Sequence, residues 1–169
     1  KQAFVTENRV FVQGSSGTGL WEGASRNCIR DGKKALHLVG GAFSERWAEI
    51  SQLNGKQIDT IAVDWGKAHT AEMVADALKK ESYDAVCVVH NETSTGVTNP
   101  IKAIGEVVRQ YPDTLFLVDT VSGFLGIELL SLPAFALIVH QQGRGVASEG
   151  AFKYLVLSSV ASAVLLFGV

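Results

Sequence analysis

An α/β fold is predicted, a mostly parallel sheet with helices on both faces forming a three-layer sandwich. Three observations predict it. Short apolar runs alternate with amphipathic stretches along the chain up to Asp119. The runs are apolar throughout rather than at every second residue, as strands covered on both faces require. The stretches between them are long enough for the helical crossovers that parallel strands need.

Taken in order, RVFVQ (9–13) reads as a buried strand. A turn, GSSGTG (14–19), leads into a helix over about 18–30. ALHLV (35–39) is the next strand, and FSERWAEISQL (43–53) the next helix. Its residues Phe43, Trp47, Ile50 and Leu53 recur close to helical spacing. QIDTIAV (57–63) is a third strand. TAEMVADALKK (70–80) puts Met73, Val74, Ala77 and Leu78 on one face, with Thr70 suited to cap its start. DAVCVVH (84–90) is a fourth strand, PIKAIGEVVRQY (100–111) a helix opened by Pro100, and TLFLVD (114–119) a fifth strand. After Ile127 the pattern changes. LPAFALIVH (132–140) reads as a further strand, QQGRGVASEGA as a polar turn, and YLVLSSVASAVLLFGV (154–169) carries no charge over 16 residues. That run falls short of the roughly 20 residues of a spanning helix. A buried or misassembled segment is preferred to a membrane anchor, so no membrane partner is expected.

The chain has 169 residues, 47% of them apolar, and a net charge of −2. It can bury a real core, and no basic stripe marks it for nucleic acid. Cys28 and Cys87 lack a CxxC partner, which disfavours a disulfide framework or zinc site and fits a reducing compartment. The first residue is Lys1 and no signal peptide follows, so a piece of a longer or processed chain is expected.

In open parallel sheets ligands bind beyond the carboxyl ends of the strands. That rule selects the loops 14–18, 90–96 and 119–123. In GSSGTG the glycines permit close backbone approach, and the free N–H groups of the following helix favour an anion, with Ser16 and Thr18 adding hydroxyls. An ordinary capped turn explains the same residues equally well. The turn has no Walker lysine, and GxGxxG is not matched because Glu22 follows Gly17 and Gly19. A nucleoside triphosphate or NAD is therefore disfavoured, and a phosphate monoester fits. Asp119 ends a buried strand, so its carboxylate needs a donor or cation, or serves as a cap. Neither Glu92 nor Glu128 stands at metal-ligand spacing from it, and no metal is expected. HNETSTG (90–96) holds an imidazole, an amide, a carboxylate and hydroxyls, more than a turn requires. His90 alone reads as structural, and Trp21, Trp47 and Trp65 as packing. Phe43 could be packing or part of a site.

Together the stretches GSSGTGLWEGA, GGAFSERWAEI, VDWGKA, HNETSTGVTNP and LFLVDTVSGFLGI resemble the class V aminotransferases of the pyridoxal phosphate (PLP) fold type I group, in order and approximate spacing over about residues 7–127. The likeness is strongest to the serine–glyoxylate and alanine–glyoxylate enzymes. The resemblance implies a partial PLP-binding large domain over 1–127 and a divergent apolar segment over 128–169. It implies pyridoxal 5′-phosphate as cofactor, a small amino acid and a 2-oxo acid as substrates, and transfer of an amino group from serine or alanine to glyoxylate. A homodimer of the full chain follows from the same likeness, and the reducing compartment with no signal peptide seen leads to an expected cytoplasmic or peroxisomal setting. Position by position, Ser16, Gly17 and Thr18 match the phosphate-binding turn. Phe43 matches the aromatic ring stacked on the pyridine face, and Thr93 a hydroxyl near the phenolic oxygen. Asp119 matches the partner of the pyridine nitrogen, and Val121 the small residue on the other ring face.

One part departs from the pattern. The family places its cofactor-binding lysine in a Ser-Gln-Lys-Ala-Leu-like motif, and here ASEGAF (147–152) puts Gly150 at that position. Lys153, three residues later, is the remaining candidate for a catalytic lysine. The alternative is a non-catalytic remnant of the PLP pocket that lacks the Schiff-base lysine.

Overall fold

Parallel strands need long return connections, and the chain supplies helices for them. The computed structural model describes residues 6–11 and 13–120. Helix α1 (Gly17–Cys28) leads to strand β1 (Lys34–Val39), then α2 (Ala42–Leu53), β2 (Gln57–Ala62), α3 (Ala71–Lys80) and β3 (Ala85–Val89). A short hairpin, β4 (Asn91–Glu92) with β5 (Val97–Thr98), precedes α4 (Ile101–Val108) and β6 (Leu115–Asp119). The sheet runs β2-β1-β3-β6, and every neighbouring pair is parallel.

The order of the strands dictates the layers. From β1 the chain steps outward to β2 through α2. It then crosses back over β1 to β3 through α3, and continues the same way to β6 through α4. Right-handed crossovers taken in opposite directions put their helices on opposite faces. Burial follows that division. Leu36, Leu38, Val86 and Val88 meet Val74 and Leu78 of α3 and Ile104 and Val108 of α4. The alternate residues Ala35, Ala85, Cys87 and Val89 meet Trp21 of α1, Ile29 just past it, and Trp47 and Ile50 of α2. The α/β sandwich with helices on both faces is therefore observed as expected.

Local chemistry fixes the helix starts. Thr70 accepts a hydrogen bond from the Met73 N–H at 3.4 Å, capping α3, and Pro100 stands at the start of α4. Apart from Gly17, these elements belong to one compact unit, Thr18–Val121; the other comprises Lys1–Gly17 and Ser122–Val169. The expected boundary after residue 127 and the expected strand at 132–140 lie outside the described residues.

Three expectations need correction. Residues 9–11 and 13 form no strand: no ladder pairs them, and Phe11 is 86% exposed. Three apolar residues in a row of five cannot make a strand without a neighbour to take their backbone hydrogen bonds. Trp65 is 63% exposed in the turn after edge strand β2, so it does not pack in the core. Leu53 ends α2 on the solvent side instead of continuing its buried stripe.

Candidate functional site

Strands β1 and β3 lie side by side, yet the chain leaves them in opposite directions. Their carboxyl ends open a crevice there, at the point where the connections diverge. The N-cap of α2 is Gly41, which has no side chain to satisfy the unpaired N–H groups of the first turn. A residue far along the chain does it instead. Glu92 accepts from the N–H of Phe43 at 3.2 Å and of Ser44 at 3.0 Å. The Ser44 hydroxyl donates to Glu92 Oε2 at 2.8 Å and accepts from the Gly40 and Gly41 N–H groups. The Ser94 hydroxyl donates to Glu92 Oε1 at 2.7 Å and accepts from the Ala42 N–H. Burial by itself pushes the Glu92 carboxyl up, but the donors from Ser94, Ser44 and Phe43 together hold it below its ordinary value.

Asp119 ends β6 in register with Val89 of β3, and its carbonyl accepts from the His90 N–H at 2.7 Å. Burial raises its carboxyl above the usual range, and the nearby Glu92 charge adds to this. The Trp21 side chain and the Thr120 backbone oppose the rise by hydrogen bonding. Trp21 in turn meets the Phe43 ring edge to face, centroids 6.3 Å apart, and stacks on Trp47 at 6.0 Å. Trp21 thus links Phe43 to Asp119, and Glu92 is tied to the same place through the Phe43 N–H. Thr18 lies three residues before Trp21 in α1, about 5 Å along the axis toward its start, and is exposed. Ser16 immediately precedes α1 and Gly17 opens it. Thr93 is exposed and follows Glu92 directly. His90, half-buried, has Nδ1 3.3 Å from the Thr120 hydroxyl. Val121 and Lys153 lie outside the described residues.

This donor set suits PLP. A carboxylate made more basic by burial favours a partner that brings a proton, as a protonated pyridine nitrogen does. Phe43 offers an aromatic ring against Trp21, and Thr18 and Thr93 are exposed. Lys34, Lys56, Lys67 and Lys79 are held by Asp59 and Glu81, Asp31, Asp64 and Asp76, acids outside this cluster. Among the described residues, no group of three His, Cys, Asp or Glu could hold a metal, and no helix is long and apolar enough to cross a membrane.

Sequence reasoning missed two residues. In the sequence Trp21 reads as packing, and Glu92 as the carboxylate of a polar loop or a metal ligand at the wrong spacing, neither of which names its role as a cap. A signal for Glu92 was present: GGAFSER opens a helix with no Ser, Thr, Asp or Asn before it, so the cap had to come from elsewhere.

Comparison with known proteins gives this geometry a lineage. An uncharacterised aminotransferase of Methanocaldococcus jannaschii is 46% identical over 144 residues, 85% of this chain and 37% of that protein. Serine–glyoxylate aminotransferase of Arabidopsis thaliana is 32% identical over 156 residues, 90% of this chain and 37% of that protein. The chain spans 37% of the length of both relatives. The crystal structure of an alanine–glyoxylate aminotransferase from Nostoc sp. matches with a TM-score of 0.64 at 30% identity, covering 69% of this chain and 31% of that one. Residues 118–169 match a second family model, described as NADH:quinone oxidoreductase/Mrp antiporter, TM. That match bears on the uncharged run at 154–169, which its length alone had set apart from membrane spans. Residues 5–130 match the family model Aminotransferase class-V, so this chain, whose five quoted motifs fall in that span, belongs to the class V aminotransferases.

Proposed function

We propose that this chain is the cofactor-gripping part of a PLP-dependent aminotransferase that moves an amino group from serine or alanine to glyoxylate. One arrangement carries the reading: Asp119 ends β6 at the carboxyl edge of the sheet, in register with Val89, its carboxyl raised by burial and influenced by Trp21, an indole that meets the Phe43 ring at the start of α2. Likeness to serine–glyoxylate and alanine–glyoxylate aminotransferases supports the choice of donor and acceptor.

In this reading Asp119 faces the pyridine nitrogen and keeps its proton in place, each partner relieving the other's desolvation. Phe43 and Val121 flank the ring, and Thr93 reaches its phenolic oxygen. Ser16, Gly17 and Thr18 hold the phosphate at the start of α1, where free N–H groups favour an anion. When bound, PLP supplies the electron sink for bond breaking at the substrate's α carbon. The full-length protein is a homodimer in the same reading. The test is to add PLP to the purified chain, reduce with borohydride and map the label. A visible band that borohydride bleaches, with the label on a lysine, supports catalysis by this chain. The absence of any band removes that reading.

Two observations favour a second reading, a PLP pocket without its Schiff-base lysine. Gly150 stands where the motif has lysine, and residues 118–169 match a family other than the aminotransferases. This reading expects saturable PLP binding with no borohydride-fixed label. The same match, with the uncharged run at 154–169, supports membrane association of the C-terminal part. Partition of the chain into detergent only when residues 154–169 are present supports that association. An intact chain that stays in the aqueous phase removes it.

A further inference from the structure

The loop that opens α2 and the hairpin after β3 come from separate parts of the chain, yet one side chain joins them. Glu92 is 2% exposed and takes four donors: two backbone N–H groups of α2, the Ser44 hydroxyl and the Ser94 hydroxyl. Two of the proposed ring-contacting residues are tied to it. The Phe43 N–H donates to the carboxylate, and Thr93 is its neighbour in the chain. The backbone carbonyl of Glu92 also accepts from the Thr95 and Gly96 N–H groups, which closes the hairpin.

Gly41 makes room for the clasp. Its φ of 175° is ordinary extended backbone, so nothing in its conformation requires glycine. A Cβ there would lie 2.5 Å from both Glu92 Cγ and Ser94 Oγ, a contact that forces one of them away. The clasp also sits at the crevice between β1 and β3, and its charge reaches Asp119.

We propose that Glu92 is a positioning residue: it locks the start of α2 to the hairpin after β3, so that Phe43 and Thr93 address the cofactor ring as one rigid piece. This rests on the PLP reading above and extends it to a residue that touches no cofactor. Charge-assisted hydrogen bonds to a buried carboxylate are the strong ones, and their loss loosens both partners together.

The test compares wild type, Glu92→Gln, Gly41→Ala and a control, Val74→Ala, which weakens the opposite face of the sheet. Hydrogen exchange is measured first without cofactor. Exchange should rise together in 42–47 and 91–97 for both site variants, and not for the control. PLP is then titrated, following tryptophan fluorescence and the circular dichroism induced in the cofactor band. Glu92→Gln and Gly41→Ala should each weaken binding roughly tenfold or more and diminish the induced signal at saturation. Val74→Ala should change neither. If exchange rises but affinity and induced signal match the control, Glu92 is a structural cap only and the proposal is overturned while the PLP reading stands. If exchange rises in one loop alone, the clasp itself is overturned. If wild type binds no PLP, the functional reading falls first and the positioning role falls with it.

Discussion

The two faces of the sheet are built from different chemistry. Toward α3 and α4 lie Leu36, Leu38, Val74, Leu78, Val86, Val88, Ile104 and Val108, with Tyr83 turning its hydroxyl outward to Asp59. Toward α1 and α2 lie two tryptophans, His37, Cys87 and a hydroxyl pair, Ser25 with Ser51 at 2.8 Å. On this side His37 Nε2 and Trp47 Nε1 find no hydrogen-bond partner among the described residues. The first face gains apolar burial at little polar cost. The second accepts that cost, and it is the side that holds Trp21, whose hydrogen bonding bears on the Asp119 carboxyl at the end of β6. The contrast separates what holds the sheet together from what the sheet presents.

The division breaks if the aliphatic face also governs ligand binding. Ile104→Ala should cost about 2–5 kcal/mol in a urea melt, since Ile104 is fully buried between α4 and the sheet. Its PLP affinity should stay at the wild-type value. A parallel loss of affinity would show that the faces are coupled.

His37 sharpens the contrast from the other side. It is 1% exposed, and burial lowers its imidazole from 6.5 to about 4. The unfolded chain therefore binds a proton that the folded chain refuses, so stability falls as pH drops from 6.5 toward 4. The loss amounts to about 3 kcal/mol at the acid end of that window. His37→Leu should flatten the slope of melting temperature against pH there, while an unchanged slope would assign acid sensitivity to other groups. A smaller effect comes from Ser51→Ala. Ser25 keeps its bond to the Trp21 carbonyl at 2.8 Å, so the change should cost about 1 kcal/mol or less in the same melt.

Much of this layout was legible in the sequence because parallel strands advertise themselves. ALHLV, DAVCVVH and TLFLVD are apolar on both faces, and a carboxylate ending one of them, Asp119, had to have a purpose. RVFVQ looked the same over five residues, but a run of apolar residues says nothing about whether a partner strand exists. Trp65 shows the same limit for side chains, since residue type does not place a turn against a core. Glu92 was hidden for another reason. A cap supplied from 48 residues away leaves its trace as an absence at Gly41, and only the fold reveals which acid fills it.

The central claim is that Asp119 grips one pole of a PLP ring whose phosphate rests at the start of α1. The most direct measurement is a PLP titration of wild type and Asp119→Ala, followed by tryptophan fluorescence alongside a melting curve for each. Burial raises the Asp119 carboxyl, so without cofactor its ionised form weakens the fold increasingly as pH rises through that raised value. Saturable binding in wild type should weaken by more than about tenfold in the variant, with a melting temperature at neutral pH that is equal or higher. Equal PLP affinity in the two proteins would contradict the account.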